Sequence, residues 1–423
     1  MPLGPFIPWV IHDMEVERKM LTRVGVPVEL DAEPSAPEPE ITTLLCFSHL
    51  RWNFVFQRPQ HLMSRFSRTM NVIFWEEPVE IGPRETAYLQ VREAPDAPNV
   101  HVVVPHLPQG MPQDAREAAL MRLLDAHVAS VRGALIAWYY TPMMLPFSRH
   151  LEADVTVFDA MDELSKFKFA PVKLLELEQE LIDRSDIVFT GGSSLFEAKK
   201  DRHDNVHCFP SSVDRVHFLK ARARQFDPAD QEDLPKPRLG FFGVIDERFD
   251  TELLDKVAAM RPDWSFVMVG PVVKISEDDL PKRPNIHYLG GKSYDQLPGY
   301  LSGWDVALMP FAMNESTQFI SPTKTPEYLA GGKPVVSTPI RDVVRHYGHL
   351  EGVKIADNAE DFAAHCEDAL ELSRGAEQDW LAEADLLLSA TSWDTTQARM
   401  AGLIEELLGT RVGSSSAILV AAE

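Results

Sequence analysis

Residues 314–339 read NESTQFISPTKTPEYLAGGKPVVSTP. DVALMPF (305–311) stands before this stretch and KPVVSTP (333–339) closes it, and both are short apolar runs rich in strand formers. Between them a polar loop leads into TPEYLAGG, a short helix with Pro326 at its start. Strand, loop, helix and strand in this order form a βαβ unit, which implies a parallel sheet.

The same rhythm extends upstream. RLGFFGV (238–244), WSFVMVGPV (264–272) and NIHYLGG (285–291) read as strands, and DTELLDKVAAM (250–260) as a helix. Before the polar, proline-bearing stretch 221–237 a second series occurs. Its strands are ITTLLCFSH (41–49), NVIFWEEP (71–78), HVVVPHLP (101–108), ALIAWYY (134–140), VTVFDA (155–160) and DIVFTGG (186–192), with NVHCFPS following. Helical spacing separates them at RPQHLMSRFSR (58–68), at 114–133, and at 171–186, where Pro171 is the expected start. The expected fold is therefore α/β: two tandem, facing, doubly wound parallel-sheet domains, at 41–220 and 236–390. A final helix, 391–410, follows, with a loose tail at 411–423. Residues 1–40 end in the Pro/Glu linker DAEPSAPEPE and form an extension.

The composition narrows the function. Of 423 residues, 41 are Lys or Arg and 64 are Asp or Glu, a net charge of 41 − 64 = −23. Phosphate backbones repel such a chain, so nucleic acid is not an expected partner. Anionic lipid requires a local basic patch that overrides the global field. Three distant cysteines, Cys46, Cys208 and Cys366, offer neither a disulfide framework nor a zinc pair. No secretory signal and no membrane-spanning apolar run are evident, so the expected location is cytoplasmic, at most peripheral to the inner membrane. Neither a dinucleotide glycine motif nor a P-loop follows any first strand, which disfavours hydride transfer and P-loop phosphoryl transfer.

Open parallel sheets bind ligands at the carboxyl ends of their strands. In 314–339, Ser321, Thr323 and Thr325 supply hydroxyls, Lys324 a cation, and the helix start exposed amides. Together these suit a diphosphate, and Glu327 suits the paired hydroxyls of a ribose. A polar helix cap with a surface lysine is the competing reading. Gly243 ends the first strand of the second domain, where a missing side chain lets backbone approach phosphate, and Arg248 lies five residues on. Asp159 and Asp162 follow a first-domain strand and are candidates to deprotonate an acceptor hydroxyl, or to cap the next turn. His49, Trp52, Arg58, Gln60 and His61 lie on the first loop and helix and are acceptor-side candidates. For Arg58 and His61 the alternatives are a helix-start ion pair and packing, and for Trp52 packing. No metal-ligand spacing appears, and no essential metal or other cofactor is expected.

EYLAGGKPVV (327–336) resembles the E-A-x-A-x-G-x-P-V-V element of GT-B glycosyltransferases, and SPTKTPEYLAGGKPVV resembles the P-x-K-x-x-E-Y form. That form is similar to bacterial teichuronic-acid-type and exopolysaccharide glycosyltransferases. LRWNFVFQRPQHL (50–62), WDVALMPF and SWDTTQARM (392–400) resemble further pieces of the same group. The resemblance implies a GT-B fold with the last helix crossing back to the first domain. It also implies a nucleoside-diphosphate sugar donor, UDP before GDP, and a glycan or lipid-linked acceptor in bacterial surface polysaccharide synthesis. On the same ground Lys324 contacts the donor phosphates and Glu327 the ribose. Many retaining members carry E-x7-E, but Phe319 stands eight residues before Glu327 (327 − 319 = 8), and Glu315 is the nearest upstream carboxylate. Either Glu315 takes over the donor-sugar contact through a longer loop or that contact is lost, so the motif assigns no retaining mechanism. A sugar-nucleotide epimerase and a non-catalytic partner subunit are the two alternatives.

Overall fold

The computed structural model describes residues 41–168, 170–223, 227–375 and 379–420, with 411–420 as backbone only. The extension 1–40 lies outside the described residues, as do positions 224–226 of the linker and 421–423 of the tail.

The first sheet uses β1 (Thr43–Phe47), β2 (Asn71–Trp75), β3 (Val79–Ile81), β4 (Tyr88–Ala94), β5 (Ala97–Pro108), β6 (Leu135–Tyr139), β7 (Val155–Ala160), β8 (Ile187–Thr190) and β9 (Val206–Cys208). Their order is β3-β5-β2-β1-β6-β7-β8-β9, with β4 antiparallel on β5. Its helices are α1 (Arg58–Phe66), α2 (Gln113–Val128), α3 (Leu145–Ser148), α4 (Leu174–Arg184) and α5 (Ser193–Lys199). A short α6 (Arg215–Leu219) leads into the second sheet.

That sheet is wholly parallel, in the order β12-β11-β10-β13-β14-β15. The strands are β10 (Arg238–Phe242), β11 (Ser265–Val269), β12 (Ile286–Tyr288), β13 (Val306–Met309), β14 (Val335–Ser337) and β15 (Val353–Ile355). Around them lie α7 (Thr251–Met260), α8 (Leu297–Ser302), α9 (Lys324–Ala330), α10 (Arg341–Tyr347), α11 (Ala359–Arg374) and α12 (Asp379–Ser389). Helix α13 (Trp393–Val420) closes the chain.

Local chemistry sets these elements. β10 and β11 are buried at every residue, as strands covered on both faces require. Gln57 and Gln60 form a capping box at α1, and Asp250 and Asn358 cap α7 and α11 through the amides of Leu253 and Asp361 (both 2.8 Å). Trp393, Met400 and Ile404 of α13 are buried in the first domain's core beside Leu62 and Phe66 of α1, so the last helix crosses back.

Two sequence expectations need correction, and one strand was missed. α4 starts at Leu174, because residues 171–173 form a turn before it. The tail expected to be loose continues α13 as helical backbone to Val420. The antiparallel β4 escaped the reading because YLQVREA alternates without a long apolar run.

In each sheet the order reverses beside the first strand, between β1 and β6 and between β10 and β13. Crevices at such reversals are where open α/β sheets take ligands.

Candidate active site

The second-domain reversal is built from the ends of β10 and β13 and the start of α9. Gly243 leaves β10 with φ +137, a conformation that disfavours a side chain. A Cβ there would overlap the Lys324 side chain and lie 2.8 Å from its amine. Lys324 therefore lies directly over the Gly243 backbone, with its Nζ 5.6 Å from the ring centres of both Phe241 and Phe311. Tyr328, one turn along α9, accepts a hydrogen bond from the Phe242 amide (3.0 Å) and pins the helix to the end of β10.

The loop after Gly243 brings in more charge. Arg248 grips Asp246 with its fork (Nη2–Oδ2 2.6 Å, Nε–Oδ1 3.0 Å). Its neighbour Glu247 faces Lys274 at 3.6 Å. Lys274 follows β11 in a left-handed conformation, φ +64. Across the cleft, Phe167 of the first domain lies under both cations, 5.3 Å from the Arg248 guanidinium and 4.9 Å from Lys274 Nζ.

Asp162 enters from the first domain. Burial pushes its carboxyl up to about 6 against the pull of Arg248, with Asp246 adding to the rise and Lys274 and Lys324 opposing it. His49, after β1, is held down at about 4 by burial and by Lys274, so it is neutral near pH 7. Burial lowers the Lys324 amine and raises the Glu327 carboxyl, and each charge opposes the other's shift. Thr325 is fully buried, and its hydroxyl has no hydrogen-bond partner among the described residues. Thr323 precedes α9 as its cap residue, and its carbonyl accepts from the Glu327 amide (3.2 Å). The cleft therefore gathers Lys324, Thr325, Glu327, Gly243 and Arg248 from one domain and Asp162 and His49 from the other. Lys274 and Asp246 were missed. The cue available for Lys274 was a cation placed just after the Gly270-Pro271 strand end.

Several candidates sit elsewhere. Asp159, expected as an alternative base, is 0% exposed and bound by Arg58 through both carboxylate oxygens (2.8–3.1 Å). Arg58 also donates to the Phe209 carbonyl (2.7 Å), so this pair ties α1 to β7 and does not reach the cleft. Gln60 donates to the carbonyls of Arg51 and Trp52, fastening the first loop. Trp52 packs edge-on against Phe74 in the core, with ring centres 5.0 Å apart. His61 is buried and stacked on Trp393 at 4.7 Å. These side chains are held by contacts inside the first domain, and His61 also meets Tyr294 of the second at 5.4 Å between ring centres.

Glu315 is 74% exposed and meets Lys166 of the first domain at 3.5 Å, so it stands on the rim. Ser321 accepts from the Ser211 hydroxyl through its carbonyl and lines a cavity of about 230 Å³ near the start of α13. Among the described residues no group of His, Cys, Asp and Glu has metal-ligand geometry.

Residues 236–372 match the family described as Glycosyl transferases group 1. The chain carries a glycosyl transferase group 1 domain. That domain contains the β10–α9 cluster. The chain is also 28% identical over 257 residues to "Putative teichuronic acid biosynthesis glycosyltransferase TuaH" of Bacillus subtilis (strain 168). The match covers 55% of this chain and spans 63% of that protein's length.

Solved structures extend the likeness across both domains. Sucrose-phosphate synthase from Thermosynechococcus elongatus superposes with a TM-score of 0.63 at 15% identity, covering 87% of this chain and all of that one. Anabaena Alr3699/HepE in complex with UDP gives 0.58 at 12% identity, covering 86% of this chain and 100% of that one. At such identities the likeness establishes the fold: the glycosyl transferase domain is the second half of a GT-B architecture.

Proposed function

We propose that this chain transfers a sugar from a UDP-linked donor to a hydroxyl of a glycan or lipid-linked acceptor in bacterial surface polysaccharide synthesis, on the cytoplasmic side. The observation that carries the reading is Asp162. Its carboxyl, raised to about 6, comes from one domain and lies in the field of Lys324, Arg248 and Lys274 of the other. A carboxylate opposite a cation cluster separates two tasks, proton removal and leaving-group stabilisation.

The donor diphosphate lies over Gly243, where Lys324 and Arg248 face the charge that grows as the bond to the anomeric carbon breaks. Glu327 accepts from the ribose hydroxyls, and Thr325 offers its unused hydroxyl. The acceptor oxygen forms the new bond to the anomeric carbon, and its proton passes to Asp162. The products are UDP and the glycosylated acceptor. The side-chain cations take the part that a divalent ion plays elsewhere, so no essential metal is proposed. The group 1 family match supports glycosyl transfer, and the named Bacillus subtilis relative supports the surface-glycan setting.

The test is thermal stabilisation by UDP, GDP, ADP, CMP and NAD, followed by release of UDP from UDP-sugars with acceptor present. Stabilisation by UDP, lost in Lys324→Ala, is the expected result. Stabilisation by NAD alone, or unaltered turnover in Lys324→Ala, overturns the reading. Product formed from the donor without acceptor identifies an epimerase instead.

A further inference from the structure

Residues 164–175, LSKFKFAPVKLL, hold three lysines and no acid in a chain where 64 of 423 residues are acidic. The segment begins two residues after Asp162. Phe167 is drawn into the cleft against Arg248 and Lys274, while Lys166 and Lys168 on either side are exposed. Pro171, Val172 and Lys173 form an exposed turn, and Val172 is 96% exposed. Leu175, at the start of α4, is 59% exposed. Acids resume at Glu176, and Lys166 has one acidic neighbour, Glu315. Glu163 and Glu178 are turned inward onto the buried Lys199 amine at 2.8 and 2.7 Å, so they do not neutralise the outer face.

We propose that this segment is a docking site for an anionic lipid bilayer, with Val172 and Leu175 entering the headgroup boundary and Lys166, Lys168 and Lys173 facing lipid phosphates. Two exposed aliphatic side chains framed by lysines complement a negative interface, where each lysine contributes about fivefold in affinity. The net charge of −23 does not oppose this, because screening limits each charge to about 8–10 Å at physiological salt. Two contacts fix the site relative to the cleft: Glu163 on the buried Lys199 amine, and Phe167 under the two cations. A chain seated here presents the Asp162 mouth to the membrane surface. The proposed lipid-linked acceptor supplies the purpose of this arrangement, but the binding is measured without donor or acceptor.

The experiment is flotation of the whole protein with phosphatidylcholine vesicles and with mixed phosphatidylcholine–phosphatidylglycerol vesicles. Binding is expected to the mixed vesicles alone and to weaken with added salt. The double variant Lys168→Glu/Lys173→Glu should bind about thirtyfold more weakly or worse, and Val172→Asp should also lose binding. All three side chains are exposed, so melting temperature and UDP stabilisation should stay as in the parent. Equal binding by parent and double variant, binding to neutral vesicles alone, or no binding at all overturns the proposal. Loss of UDP stabilisation in the parent would sink the transferase reading and leave this one standing.

Discussion

Asp342 of α10 caps Ser194 of α5 across the two domains. Its Oδ1 accepts from the Ser194 amide at 3.0 Å and from the Ser194 hydroxyl at 2.6 Å. One turn further along α10, His346 Nε2 meets Ser193 Oγ at 2.9 Å. The contact leaves no room at Gly192, where a Cβ would overlap Asp342 Oδ2 and lie 2.6 Å from the Ser321 Cβ. The first domain thus lends a helix start, and the second caps it with a buried carboxylate.

That arrangement predicts the effect of Gly192→Ala. The added methyl pushes α10 from α5 and widens the cleft, so Asp162 and Lys324 move apart. Scattering should report a larger radius of gyration, and turnover should fall while the isolated UDP affinity changes little. Asp342→Ala should act in the same direction and cost about 1–3 kcal/mol in denaturant unfolding, the loss of a buried hydrogen-bonded acceptor. A compact, fully active Gly192→Ala enzyme would remove the capping contact from the account.

Lys324 is the predicted centre of charge stabilisation. Lys324→Ala should lower kcat about a hundredfold or more, as loss of one preorganised donor does. Its melting temperature without ligand should not fall, because a lysine lowered by burial is held there at a cost. Chelating agents should leave the parent's turnover unchanged. A strict requirement for magnesium or manganese would assign the leaving-group role to a metal.

Gly243→Ala is predicted to damage the same step by a different route. It forces a side chain into φ +137 and against the Lys324 stem. A loss of about 1–3 kcal/mol in stability is expected from backbone strain, together with weakened UDP stabilisation. Unchanged UDP stabilisation in a folded variant would show that Lys324 need not lie over this backbone.

The sequence carried the architecture because strand and helix periods alternate plainly in it. The buried runs TLLCF and RLGFF, each closed by a loop, mark β1 and β10, and the 314–339 stretch marks the second-domain crevice. What lies across the cleft was not legible. Nothing in GGSS at 191–194 says that Asp342, about 150 residues away, caps it. Lys274 was passed over because its importance comes from a left-handed turn beside Glu247, not from a motif. The first helix misled for a related reason: Arg58, Gln60 and His61 look like a polar constellation, yet they face inward because their partners are Asp159, the Arg51 carbonyl and Trp393.

Asp159 and Asp162 separate most sharply by experiment. They stand three residues apart on one strand end, and either could have been the base from sequence. Asp159→Asn leaves Arg58 buried without its counter-charge, so unfolding free energy should fall by about 3–5 kcal/mol, while the folded fraction keeps its turnover per molecule. Asp162→Asn should do the reverse. The Asp162 carboxyl titrates near 6 when folded, above its usual value, so the stability it contributes is present at low pH and is lost as pH rises through about 6. The Asn variant escapes that loss. It should therefore be more stable than the parent by about 3 kcal/mol near pH 8, with the gap closing below about pH 4. Parent kcat/KM should climb as pH rises through about 6, when Asp162 gives up its proton. In Asp162→Asn that limb should vanish and the rate should drop about 10²–10⁴-fold. An Asp162→Asn enzyme that keeps the parent's rate and pH limb would transfer the proton elsewhere, and His49, neutral near pH 7 and under the same Lys274, would be the next side chain to change.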